Sequence, residues 1–292
     1  VPEAGFCLQS QLHRRVGRCP GGETEADGHG NEAFDHPSGP AQFLRSTGKV
    51  QRTRRIMELQ GSTALVTGAG RDLGRLFAEH LLQRGAKKVY AAARRPEMVD
   101  LPGVVPLRLD ITDPASVAAA AEAAGDVTLL INNAGVSLGQ NLIEGDLGQI
   151  RTVVETHLFG TLNMVRAFAP VLGANGGGAI LNVLSNLSWI SFDGNNSYAV
   201  AKAAQWSLTN GIRLELAKQH TLVSGLVFGP TRTETMKAFN PAAVMNDPVD
   251  IVNAAFDGIE AGQIEIVADT YGAAAKASLA GEPRGFTLLT NS

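Results

Sequence analysis

Thiols are nearly absent from this sequence of 292 residues. It holds two cysteines, Cys7 and Cys19, and the rest of the chain has none. That excludes a disulfide framework, a thiolate zinc cluster and a cysteine nucleophile from the main body. Such usage is expected of a reducing compartment, and the location expected here is the cytoplasm. Charge of one sign is also lacking, the formal net charge being -3, so neither a nucleic-acid footprint nor a polybasic membrane anchor is expected. No apolar run reaches the roughly 20 residues of a membrane-spanning helix. No basic stretch followed by an apolar one opens the chain, as a secretory signal would. What is present is apolar content of 44% against 18% charged, enough for a sizeable core. The length suits one large α/β domain or at most two small ones.

Residues 1–56 read differently from the rest. Cys19-Pro-Gly-Gly-Glu-Thr-Glu-Ala-Asp-Gly-His-Gly is polar and glycine-rich, without helical or strand period, and Gln51-Arg-Thr-Arg-Arg is a short basic cluster. The expectation is a disordered N-terminal extension, a mis-called start upstream of Met57; a regulatory or targeting tail is the rival. Strands and helices then alternate over 57–292. Strands are expected at Thr63–Thr67, Lys88–Ala92, Val104–Leu109, Val127–Asn132, Ala179–Leu184, Leu222–Phe228 and Glu265–Ala268. Helices are expected at Leu73–Arg84, from Asp113-Pro-Ala-Ser onward, at Leu147–Leu172, Ser197–Lys218 and Pro248–Ala261. Apolar strands separated by helices imply a single-domain α/β fold of the Rossmann type: a doubly wound parallel sheet of about seven strands, with its ligand crevice at the strand C-termini.

The first strand runs into Thr67-Gly-Ala-Gly-Arg-Asp-Leu-Gly74. In isolation this is an ordinary glycine turn. Between a strand and a helix it is a phosphate cradle, with the helix N-terminus aimed at a dinucleotide pyrophosphate. The residues assigned to it are Gly68, Gly70, Arg71, Asp72, Leu73 and Gly74. Just after the second strand, near Ala93, an NAD site would offer a carboxylate to the ribose 2′-hydroxyl; here Arg94 and Arg95 follow Ala93. Two cations favour a 2′-phosphate, hence NADP(H) over NAD(H), although a solvated basic loop would look the same. Asp110, after the third strand, is placed at the adenine edge, the alternative being a turn residue that precedes a helix; Ile111 beside it is assigned to the cofactor site.

Tyr198-Ala-Val-Ala-Lys202 sets a phenol and an ammonium one turn apart on a helix face, and Ser185 ends the fifth strand. A Tyr and a Lys at that spacing are commonplace. The nucleotide turn and the preceding strand-end serine turn the pair into a catalytic candidate. A carbonyl receiving hydride needs a proton. A lysine ammonium stabilises a nearby phenolate, and a serine hydroxyl polarises the substrate oxygen.

These residues resemble the short-chain dehydrogenase/reductase family over essentially all of 57–292. Thr67, Gly68 and Gly74 match the family's turn. Asn132-Asn133-Ala134-Gly135 matches a segment that supports the sheet and lines the cofactor site with Asn133, Ala134 and Gly135. Ser185, Tyr198 and Lys202 fall on its catalytic positions, Tyr198 and Lys202 also touching cofactor. Gly229-Pro230-Thr231-Arg232-Thr233 resembles the segment that contacts the nicotinamide, through Gly229, Pro230, Thr231 and Thr233. The resemblance implies hydride transfer between NADP(H) and a small carbonyl or alcohol. It also implies a homodimer or homotetramer built on helices 147–172 and 197–218.

Two departures stand out. Asp72 replaces the family's middle glycine, which puts a carboxylate beside the pyrophosphate and should weaken cofactor binding; the benign reading has Asp72 capping the helix that begins at Leu73, with Arg71 offsetting its charge. His157 replaces an asparagine that links the catalytic lysine to solvent, and its titration is expected to add an ionisation between about pH 6 and 7. Both keep a second reading open, a non-catalytic NADP-binding sensor, and the scaffold also allows an isomerase, dehydratase or epimerase. Substrate selection is expected from Ser137–Leu142, Asn186–Phe192 and Thr231–Asn246. There Leu138, Trp189 and Phe192 would form an apolar wall, and Met236 and Phe239 a lid.

Overall fold

Apolar runs bounded by turns give strands here, and all of them pair in parallel. Seven strands form one sheet in the order β3-β2-β1-β4-β5-β6-β7. They are β1 Thr63–Thr67, β2 Lys88–Ala93, β3 Val105–Arg108, β4 Leu129–Asn132, β5 Ala179–Val183, β6 Leu222–Val227 and β7 Glu265–Val267. The computed structural model describes residues 57–234, 236 and 244–282. All of these belong to one compact unit; both cysteines, the extension 1–56 and Phe239 lie outside the described residues. Strands β1, β4 and β5 are buried along their whole length, so they read as continuous apolar runs rather than alternating ones. Strand order reverses between β1 and β4, and a crevice opens there at the strand C-termini.

Helices cover both faces: α1 Asp72–Gln83, α2 Pro114–Ala123, α3 Leu147–Val154, α4 Thr161–Ala174, α5 Asn196–Leu216, α6 Pro248–Glu260 and α7 Thr270–Ser278. On one face Phe77 of α1 meets Phe256 of α6 edge-on, ring centres 5.7 Å apart, above Val66 and Ile131. On the other, Met164 and Phe168 of α4 and Ile212 of α5 pack on Leu65, Leu130 and Ile180.

The structure departs from the sequence expectations in three places. The helix expected over 147–172 is interrupted by a π-helical turn, Glu155–Gly160, between α3 and α4; such wide turns gather at functional sites. Helix α1 begins at Asp72, not Leu73. Helix α7 was not expected, because an alanine run carries no apolar period; its one local sign is Asp269, whose carboxylate caps the helix from Gly272 N at 2.7 Å. Among the described residues no helix is long and apolar enough to cross a membrane.

Candidate active site

The crevice is built first from Thr67. Its hydroxyl accepts from Asn133 N at 2.9 Å and Ala134 N at 3.0 Å, and donates to Ile131 O at 3.3 Å. The Asn133 amide returns a bond to Thr67 O at 3.0 Å. The tip of β1 and the segment after β4 are thereby locked together. Gly68 adopts φ +69°, and a Cβ on Gly74 would lie 2.1 Å from Gly68 O, so the turn itself demands both glycines. Gly70 is open, its nearest neighbour being Ala93 Cβ at 3.9 Å. Leu73 is buried in the core beneath. The N-terminus of α1 faces the crevice, and backbone N–H groups in that position suit a pyrophosphate.

Asp72 does not cap α1. It is the first helical residue, Arg71 occupies the cap position without a side-chain bond, and Asp72 itself has φ +49°. That is the left-handed region, which a glycine enters freely and an aspartate tolerates. The carboxylate instead accepts from Glu234 N at 2.9 Å, tying the glycine turn to the loop after β6. Arg71 Nε stands 3.8 Å from its other oxygen, which gives the expected offset of charge.

At the far end of the crevice a cleft of about 440 Å³ is lined by Arg94, Arg108, Asp110, Asp113, Ser116 and Ala119. Arg94 and Arg95 are both exposed, and of the two only Arg94 lines this cleft. Arg108 went unnoticed in the sequence. Its signal lies in strand pairing, because it stands in register beside Ala93. Asp110 is held by Thr112, whose hydroxyl and N–H donate to one oxygen at 2.7 and 3.0 Å. Those bonds, with the charge of Arg94, keep its carboxyl below the ordinary range despite partial burial. Ile111 is buried, and its carbonyl accepts from Asn163 at 3.2 Å.

Ser185 lies two residues beyond β5 and caps a short 3-10 turn, accepting from Leu187 N at 3.2 Å. Its hydroxyl donates to Asn186 Oδ1 at 3.2 Å and stands near enough to the phenol of Tyr198 to act on its ionisation. Lys202, one turn along α5, is 3% exposed. Its ammonium lies 5.5 Å from the centre of the Tyr198 ring and donates to Val183 O at 2.7 Å and to Gln205 Oε1 at 2.8 Å. Burial lowers this lysine to about 7. Burial also raises the Tyr198 phenol above its ordinary value, against the lowering influence of Ser185. The expected lowering of Tyr198 by the lysine is therefore absent from this geometry, where the ammonium is committed to Val183 and Gln205. Gln205 in turn donates to Thr161 Oγ1 at 2.9 Å; neither residue was singled out in the sequence, although Gln205 sits at i+3 from Lys202.

His157 is carried by the π turn and is 1% exposed. Its Nε2 lies 2.8 Å from Val136 O and 3.2 Å from Val136 N, so it donates to the carbonyl in one tautomer and accepts from the N–H in the other. Its ring stands edge-on to Tyr198 at 5.2 Å, and Nδ1 has no hydrogen-bond partner. Gly135 makes room for it, since a Cβ there would lie 2.4 Å from Cε1. Burial, then the charge of Lys202, hold the imidazole well below its usual value. The ionisation expected between pH 6 and 7 is thus moved below that window.

The segment after β6 is anchored from behind. Gly229 N donates to Asp269 Oδ2 at 2.7 Å, Thr231 Oγ1 to Gly229 O at 3.1 Å, and Asn246 N to Pro230 O at 2.8 Å. Thr233 Oγ1 accepts from Met236 N at 3.1 Å. Of the expected apolar wall, Leu138 and Phe192 are half-buried. Trp189 is turned toward other elements, edge-on to Trp206 of α5 at 6.4 Å, with Lys276 of α7 at 5.9 Å.

Comparison with known proteins agrees with this geometry. The short chain dehydrogenase family profile matches residues 62–243. A 3-oxoacyl-[acyl-carrier-protein] reductase of Vibrio cholerae is 29% identical over 218 residues, covering 68% of this chain and 89% of that protein. A short chain dehydrogenase of Burkholderia cenocepacia, solved in complex with NADP, is 41% identical with a TM-score of 0.74, covering 77% of this chain and 95% of that one. A Burkholderia phymatum family structure, solved in complex with NAD, is 25% identical with a TM-score of 0.70, covering 80% and 100%. With the glycine turn, the locked Asn133 segment and the Ser185–Tyr198 pair on one sheet edge, the chain belongs to the short chain dehydrogenase family.

Proposed function

We propose that this protein is an NADP(H)-dependent oxidoreductase that interconverts a small carbonyl compound and its alcohol. The observation that carries the reading is the juxtaposition of Ser185, after β5, with Tyr198 and with the Lys202 ammonium 5.5 Å from the centre of the phenol ring. Gly68, Gly70, Arg71, Leu73 and Gly74 would hold the pyrophosphate. Ala93, Arg94 and Arg95 would take the 2′-phosphate, Asp110 and Ile111 the adenine. Asn133, Ala134, Gly135, Gly229, Pro230, Thr231 and Thr233 would line the nicotinamide side. When bound, the nicotinamide supplies or accepts the hydride. Ser185 holds the substrate oxygen, and Tyr198 gives its phenolic proton to that oxygen as negative charge develops. Lys202 binds ribose hydroxyls through the N–H left by Val183 and Gln205. Small residues and arginines at the end of β2, with Arg94 lining the cleft, support NADP(H) over NAD(H).

The test is NADPH consumption against a panel of aldehydes, ketones and 3-oxoacyl thioesters, with Tyr198→Phe as control. Turnover that falls by about 10²–10⁴-fold in the variant supports the reading. Undiminished turnover in Tyr198→Phe overturns it, and a product formed without net NADPH consumption favours the isomerase class. The Ser185–Tyr198 pair also speaks against a non-catalytic sensor, which needs no proton donor. A homo-oligomer and a cytoplasmic location belong to the same proposal. The first is supported by apolar side chains exposed along the two long helical segments: Leu147, Phe159, Val200 and Leu214.

A further inference from the structure

Lys202 is buried, yet no carboxylate faces it among the described residues. The titratable groups against it are Tyr198 on its own helix and His157 on the π turn. An ammonium in such a place needs neutral acceptors with fixed lone pairs. Val183 O is one, and it is immobile in β5. The other is Gln205 Oε1, on a side chain that is itself 1% exposed. An amide can present either end. Here the Nε2–H donates to Thr161 Oγ1 at 2.9 Å, and the oxygen is thereby turned toward Lys202. Thr161 is the first residue after the π turn, so the amide joins that turn to α5. The base of α5 is tied down as well: Thr209 Oγ1 donates to Gln205 O at 2.7 Å and accepts from Asn182 of β5 at 2.9 Å.

We propose that Gln205 is the positioning residue for the catalytic lysine: its buried amide, oriented by Thr161, seats the Lys202 ammonium against Val183 and leaves one N–H for cofactor ribose. The proposal rests on the oxidoreductase reading for the word catalytic, but the seating stands on contacts alone. An amide oxygen bonded to an ammonium favours the charged form. Replacing it with a carboxylate should strengthen that effect, and replacing it with an apolar side chain should remove it.

The experiment is an NMR titration of the full chain carrying carbon-13 lysine, with the Lys202 signal identified by its loss in Lys202→Arg. Gln205→Glu should move the Lys202 midpoint upward, changing its proton dissociation constant by at least about tenfold. Gln205→Leu should move it downward. Midpoints in both folded variants that coincide with that of the unsubstituted chain would overturn the proposal, since a merely space-filling Gln205 would leave them unmoved. If the Gln205 variants do not fold, Thr161→Val decides: a downward shift supports the seating, and an unchanged midpoint rejects it. None of these readouts needs substrate or cofactor. A Lys202 signal indifferent to added NADPH, beside intact Gln205 effects, would count against the oxidoreductase reading alone.

Discussion

At the scale of single residues, Asp72 and Lys202 carry the most consequence. Asp72 keeps a left-handed backbone at a position where glycine is at ease, and its carboxylate holds Glu234 N. Asp72→Gly should tighten NADPH binding by about tenfold, or ~1–2 kcal/mol, the scale of one strained residue or unfavourable charge. Asp72→Asn keeps an acceptor for Glu234 and isolates the charge. Fluorescence titration reads both, and unchanged affinity in both would mean that the carboxylate costs the site nothing. Lys202 has a folded value of about 7 against an ordinary 10.5. Between those values the unfolded chain binds a proton that the native chain has lost. Stability therefore rises with pH through that window, and the penalty of burying the ammonium is fully present below pH 7. His157, also held low, works in the same sense, its penalty appearing as pH falls below 6.5. Urea unfolding at several pH values should show a rise above pH 7 that Lys202→Met lacks; an equal rise in the variant would assign it to another group.

At the scale of elements, the π turn and the Phe77–Phe256 contact do most to place the site. The aromatic pair clamps α1 to α6 over the sheet. Phe77→Ala should destabilise the protein by about 3–5 kcal/mol, the cost of a large buried side chain and the cavity it leaves. Chemical denaturation checks this, and a loss under 1 kcal/mol would mean that the face repacks. The strands were legible in the sequence because burial on both faces leaves only apolar runs between turns, as in Thr63–Thr67 and Ala179–Val183. The π turn was not legible. Glu155-Thr-His-Leu-Phe-Gly160 has ordinary helical composition, and its widening follows from tertiary packing of His157 under Gly135 and Gly160 against Ile111. Helix α7 was hidden for the opposite reason: its alanines have too little apolar contrast to mark a face.

At the scale of the whole molecule, alternating strands and helices fixed the sheet, and strand order fixed which edge carries chemistry. Ser185 and the glycine turn were readable because they follow strand ends, and Tyr198 and Lys202 because they stand one turn apart early in α5, where sequence spacing translates directly into position. Arg108 and Thr161 were not, because each acquires meaning only through a neighbour distant in sequence, Ala93 across a strand pair and Gln205 across a helix contact; Gln205 lies at i+3 from Lys202, but that spacing does not show its bond to Thr161. Leu214 is 78% exposed and Phe159 46%, on the two segments where assembly is proposed. The doubly substituted Phe159→Glu, Leu214→Glu chain should sediment as a smaller species than the unsubstituted one; identical mass would remove those faces from the interface. The most direct test of the central claim is titration of the full chain with NADPH and with NADH, followed by nicotinamide fluorescence. The account predicts NADPH binding at least about tenfold tighter, with the difference lost in Arg94→Ala; equal affinities, or no binding of either, would contradict it.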